Sequence, residues 1–158
     1  MIGGLGDWRI GGLGMERLSR AEFRSWLEQR TRDFSVSVFK FLDALPKKAS
    51  TKVIAYQLGK SASSIGANYR EANRSESADD FCHKLSIALK EANETEYWLA
   101  VLTDLYPMHG IVEKLRLEAL ELLKLFQSIL GSSRENARKK KSGLKEIQSI
   151  KKRENSNP

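Results

Sequence analysis

Phe81-Cys82-His83-Lys84-Leu85-Ser86-Ile87-Ala88-Leu89-Lys90-Glu91-Ala92-Asn93-Glu94-Thr95-Glu96-Tyr97-Trp98-Leu99-Ala100-Val101-Leu102 reads as one helix from its spacing. Phe81, Leu85, Ala88, Ala92, Thr95, Leu99 and Leu102 recur in alternating steps of four and three, which lines them along one seam of an α-helix. Ser77 stands where a hydroxyl caps the first free backbone donors, and Asp79 and Asp80 face the positive end of the helix dipole. Beside the seam runs a second row, Ile87, Glu91, Glu94, Trp98 and Val101, half apolar and half acidic. A single core uses one row and leaves the other for a further helix or a further subunit.

Working outward, Leu105-Tyr106-Pro107-Met108-His109-Gly110 reads as a turn, because proline and glycine both interrupt helix. A fourth helix follows it, with Val112, Leu115, Ala119, Leu122, Phe126 and Ile129 as its seam and Leu117, Leu120, Leu123 and Leu130 widening the apolar stripe. On the other side, a break at Ser75-Glu76 separates the third helix from a second that starts near Ser50 or Thr51, carries Val53, Ile54, Leu58, Ile65 and Tyr69, and runs to about Arg74. Its middle holds Gly59 and Gly66 among serines, a poor helix by propensity, so packing has to compensate. The first helix opens on Ser19-x-x-Glu22, a capping box, and carries Phe23, Trp26, Leu27, Phe34, Val38, Phe41, Leu42 and Leu45 until Pro46 stops it. Four helices on short turns predict an all-α, antiparallel up-down four-helix bundle over residues 19–133. No stretch alternates as a strand does.

Residues 1–18 form a glycine-rich extension expected to be flexible, and Met15 is an alternative start of translation. Residues 134–158 form a basic tail, either flexible or continuing the helix around Leu144, Ile147 and Ile150. No apolar run approaches the roughly 20 residues of a membrane span, and the start lacks a signal-peptide pattern. A cytoplasmic protein is the expectation. The lone Cys82 makes no internal disulfide and agrees with a reducing compartment.

The net charge of +7 is unevenly spread. Residues 9–74 carry 13 Lys or Arg against 6 Asp or Glu, residues 75–133 carry 5 against 10, and the tail carries 9 against 3. Such segregation serves either opposite-sign partner subunits or the phosphates of a nucleic acid.

Arg30-Thr31-Arg32-Asp33-Phe34, Leu45-Pro46-Lys47, Ser64-Ile65-Gly66-Ala67-Asn68-Tyr69-Arg70-Glu71-Ala72 and the stretch from Phe81 to Leu99 together resemble the four helix bundle protein family. Its members are encoded in intervening sequences of large-subunit ribosomal RNA genes, and a relative is the accessory variability protein, Avd, of diversity-generating retroelements. The resemblance spans roughly Ser19 to Leu130. It implies a bundle that assembles into a ring-like homopentamer and, in the retroelement branch, a basic surface that binds a reverse transcriptase and its template RNA. It implies no enzyme.

For RNA or DNA, the candidate residues are Arg30, Arg32, Lys40, Lys47, Lys48, Lys52, Lys60, Arg70 and Arg74, with Arg138, Lys139, Lys140, Lys141, Lys151, Lys152 and Arg153 of the tail. Cations that neutralise phosphates release counterions and make binding fall with salt. For any single lysine the competing use is plain solvation. No aromatic ladder accompanies them, so base reading by stacking has no support at this level.

For a subunit interface, the candidates are Gly59, Ser63 and Ala67, small residues four apart, with Tyr69, Glu91, Glu94 and Trp98. The competing use of the small residues is close packing inside one bundle. Asn68 and Tyr69 are candidates for a shared hydrogen bond beside that ridge. Trp98 is either an interface anchor or a satellite of the core. A di-metal site in a bundle draws a Glu from each of two helices and a Glu-x-x-His from each of the others. Only His83 and His109 are present, with Asp80-x-x-His83 as a lone echo, so no metal, cofactor or catalytic residue is expected. Glu91, Glu94 and Glu96 are expected to pair instead with Lys84, Lys90, Arg70 or Arg74. A protein-only scaffold held by its own basic and acidic segments is the alternative to a nucleic-acid binder.

Overall fold

A computed structural model describes residues 18–106 and 110–154, apart from the side chains of 145, 146 and 149–154. The glycine-rich start, Met15, His109 and the side chains of Ile150, Lys151, Lys152 and Arg153 lie outside the described residues. Four helices make up the described chain: α1 (Arg20–Asp43), α2 (Ala49–Ala72), α3 (Ala78–Leu105) and α4 (Ile111–Glu154).

Local chemistry sets the ends of these helices. The Glu22 amide donates to Ser19 Oγ at 3.3 Å while the Ser19 amide donates to Glu22 Oε2 at 2.7 Å, which is the reciprocal box expected at the start of α1. Ser77 Oγ accepts from the Asp80 amide at 3.1 Å at the start of α3. Gly110, ahead of α4, has φ of +103°, a conformation that a side chain disfavours.

The seams read from spacing are the buried faces. In α3, Leu85, Ala88, Ala92, Thr95, Leu99 and Leu102 are all buried, with Phe81 packed against the core from its edge. In α4, Val112, Leu115, Ala119, Leu122, Phe126 and Ile129 are buried, each large apolar side chain contributing roughly 1.5–3 kcal/mol relative to exposure. Two expectations fail. Val53 is 57% exposed and Leu117 53% exposed, because both sit beside a seam already filled by Ile54 and Leu58 or by Leu115 and Leu122.

α2 shows why its two glycines are there. A Cβ on Gly59 would stand 3.2 Å from Leu42 Cδ1 and Phe39 Cε1, and one on Gly66 would stand 3.2 Å from Thr31 Oγ1. Ser35 Oγ donates to the Ala62 carbonyl at 3.1 Å between these points, and Asn73 Nδ2 donates to Glu28 Oε1 at 3.0 Å beyond them. Gly59, Ala62 and Gly66 of α2, with Asn73 just past its end, thus form the strip on which α1 lies closely. The opposite side of α2 meets α3, where Thr95 Oγ1 donates to Ser61 Oγ at 2.9 Å within the core. α3 also packs extensively on α4, whereas α1 and α4 touch only lightly.

α4 does not end at Gly131. It continues to Glu154, so the basic segment within the described chain is helical, with Lys141 Nζ 3.0 Å from Asp79 Oδ2 of α3 and Lys139 Nζ 2.7 Å from Glu135 Oε1.

Candidate nucleic-acid interface

Where α1 turns into α2, Leu45 and Pro46 end one helix and Lys47 and Lys48 lead into the next. Leu42, Leu45, Pro46, Lys47, Lys48, Ala49, Thr51, Lys52 and Ala55 line an open cleft of about 410 Å³, which holds three lysines and no carboxylate. Lys48 Nζ lies 5.1 Å from the centre of the Tyr106 ring, and Ser50 Oγ is 2.9 Å from Tyr106 Oη, so the end of α3 supports this corner. Lys40, in the last turn of α1, is exposed nearby in sequence. Arg32, Lys40, Lys47 and Lys52 are exposed, and their side chains make no ion pair or hydrogen bond among the described residues. Lys60 is exposed too, and its charge favours the ionised form of Glu91.

Arg30, Arg70, Arg74, Lys139 and Lys141 are already engaged. Arg30 forks onto Glu118, Nε to Oε1 at 2.6 Å and Nη2 to Oε2 at 2.8 Å, and its Nη2 also reaches Glu121. The hydrogen bond that it donates to Glu118 raises the guanidinium pKa above its ordinary value against the effect of burial, and the group sits 5.2 Å over Trp26. A bidentate pair of this kind ties α1 to α4 across their loosest seam, at the edge of a second cleft of about 480 Å³. Arg30 is therefore a bridge between helices and not a free phosphate ligand. Arg70 pairs with Glu28 at 3.3 Å, and Arg74 Nη1 donates to the Arg70 carbonyl at 2.9 Å. Lys139 and Lys141 are held by Glu135 and Asp79 as described, whereas Arg138 and Lys140 are exposed and make no ion pair among the described residues.

The expected interface residues divide. Gly59 is covered by Phe39 and Leu42 of its own chain, and Tyr69 is 2% exposed with its ring 5.5 Å from that of Phe126. Burial pushes the Tyr69 hydroxyl up to about 12, which keeps the phenol neutral inside the bundle. Both residues are used within the chain and are not available to a second copy. Ser63 is half-buried and Ala67 exposed, so the ridge does not share one face. Steps of four overshoot the 3.6-residue turn, so the stripe rotates out of the contact, while the seven-residue step from Gly59 to Gly66 stays in it. Asn68 donates to the Ser64 carbonyl at 2.8 Å and not to its neighbour Tyr69. Trp98 is half-buried against the core, with Nε1 3.4 Å from Glu94 Oε1 and its ring edge-on to Tyr97.

The acidic row pairs differently from the expectation. Glu96 Oε1 accepts from Arg116 Nε at 2.7 Å, and Lys84 goes to Asp80 at 3.0 Å. Burial, with the neighbouring Glu94 charge second, raises the Glu91 carboxyl above the usual carboxylate range. Among the described residues, no group of three His, Cys, Asp or Glu is placed to hold a metal ion, and no helix is long and apolar enough to cross a membrane.

Residues 21–128 match the family described as 23S rRNA-intervening sequence protein. The chain belongs to the 23S rRNA-intervening sequence protein family. Its matched region covers the bundle core and the lysines of the α1–α2 corner, and stops before the basic end of α4. A crystal structure similar to this family member is that of a protein of unknown function from the S23 ribosomal protein family of Bacteroides thetaiotaomicron, with 36% identity and a TM-score of 0.63. The likeness covers 68% of this chain and 97% of that one. No curated protein matches the chain.

Proposed function

We propose that this family member is a non-enzymatic RNA-binding protein of the cytoplasm that works as an assembly of identical subunits. The observation that carries the reading is the set of unneutralised lysines around the α1–α2 corner, Lys40, Lys47 and Lys52, together with Lys48. Unpaired cations lining a cleft without carboxylates draw phosphates without first breaking internal ion pairs. The family is named for an insertion in 23S rRNA, which makes structured ribosomal RNA the first ligand to test. By the resemblance to Avd, a reverse transcriptase is a further partner of the same basic surface.

The pairings of Leu42 with Gly59, Thr31 with Gly66 and Glu28 with Asn73 support an antiparallel up-and-down bundle. Self-association, as the pentamer of the resembled family, is assigned to the α3–α4 side. There Tyr97 is 56% and Leu117 53% exposed, each next in sequence to the Glu96–Arg116 pair.

Lysine footprinting tests the binding surface. With a 23S rRNA hairpin bound, acetylation of Lys40, Lys47, Lys48 and Lys52 is expected to slow, while Lys84, held by Asp80, stays as reactive as in the free protein. Equal reactivity at every lysine with and without RNA favours the protein-only scaffold and overturns the reading.

A further inference from the structure

Tyr56 is 70% exposed, more than any other large apolar or aromatic side chain among the described residues. Neither its ring nor its hydroxyl has a partner there. Lys52 and Lys60 stand four residues before and after it on α2, so the three exposed side chains follow one another on the solvent side of the helix about 6 Å apart in rise, each step turning by roughly 40°. Neither lysine is in an ion pair, and α2 carries no acidic residue before Glu71. Phe39, 47% exposed, lies against Gly59 and brings a second ring up to this face, with Lys40 next to it on α1.

A lone ring between two exposed lysines outside any ion pair has the elements of a single-strand platform: a π-face that accepts any base and charges spaced along a backbone. Two copies of such a face meeting each other would bring like charges together, whereas a phosphate strand complements them. We propose that Tyr56 stacks an unpaired RNA base while Lys52 and Lys60 hold the phosphates on either side of it. The inference rests on the RNA-binding reading above and narrows its ligand to RNA with a loop or bulge. It also supplies an aromatic element that spacing alone did not reveal.

The test compares a 23S rRNA hairpin with an unpaired loop and a fully paired duplex carrying the same number of phosphates, both titrated with the full chain. Tyr56→Ala is expected to weaken loop binding about tenfold, to leave the duplex unaffected and to leave the salt slope unchanged, since no charge is lost. Tyr56→Phe keeps the ring and retains the affinity. Lys52→Ala weakens both RNAs and lowers the salt slope by about one. If wild type binds with steep salt dependence and Tyr56→Ala changes neither RNA, or both equally, the inference fails while the RNA-binding reading stands. If wild type binds neither RNA, that reading fails and the inference with it. A fall in sedimentation mass of Tyr56→Ala without RNA assigns the face to a second copy and overturns the inference.

Discussion

Phe126→Ala is expected to destabilise the bundle by roughly 3–5 kcal/mol, read as a lower denaturant midpoint at unchanged slope. Phe126 is 0% exposed, and its ring meets that of Tyr69 at 5.5 Å, so truncation removes the contact that joins α4 to α2 in the interior. The cavity has little means of closing, because Leu122, four residues earlier on α4, and Ile65, four residues before Tyr69 on α2, are themselves fully buried. For a domain whose whole stability is about 5–15 kcal/mol, this is a large fraction. Val53→Ala, on α2 and 57% exposed, is expected to stay within about 0.5 kcal/mol. A loss below about 1 kcal/mol for Phe126→Ala would show that its ring does not fill the bundle interior beside Tyr69 as described.

Reversing the charge of Lys47, Lys48 and Lys52 to Glu is expected to weaken binding to a 23S rRNA fragment by on the order of a hundredfold or more near physiological salt. Three cations are lost and three anions appear in the same cleft, so attraction turns into repulsion there. The three side chains are exposed, which keeps the fold out of the measurement. The control is Lys84→Glu. Lys84 is engaged by Asp80, so its reversal removes little free positive charge and is expected to change affinity far less. Lys84→Glu changes the net charge by a third as much as the triple reversal, so a control loss of a third of the triple's, in the logarithm of affinity, would mean that net charge alone, and not this corner, governs binding.

The helices were legible because their signals are local. The Ser19–Glu22 box, the Ser77 cap and the alternating seam of α3 are each contained within a few turns, and each is realised at the expected residues. Pairings between helices were not legible. Arg30 and Glu118 are 88 residues apart, and nothing near either one announces the other, so Arg30 reads in sequence as one more free cation. Gly59, Ser63 and Ala67 invited a single face because four is close to a helical turn, yet the drift over two steps takes Ala67 into solvent. Gly66, seven residues from Gly59, was the better guide to close approach. The exposure of Tyr56 is not legible in sequence, because exposure is not written in a residue's identity. It follows from which of the neighbouring apolar positions, Ile54 and Leu58, already fill the core.

The same logic separates the basic residues by use. Arg30 and Arg70 engage carboxylates of α4 and α1, whereas Lys47 and Lys52 have none to meet. Composition assigns all of them the same charge, and only the packing of four helices decides which charges remain available to a ligand.

The most direct test is the equilibrium affinity of the intact chain for a 23S rRNA hairpin, measured between 50 and 200 mM salt. Four phosphate contacts predict a fall of roughly a hundredfold over that range and a straight line in the logarithm of salt. No measurable binding at the low end, or an affinity that stays flat across the range, would contradict the account.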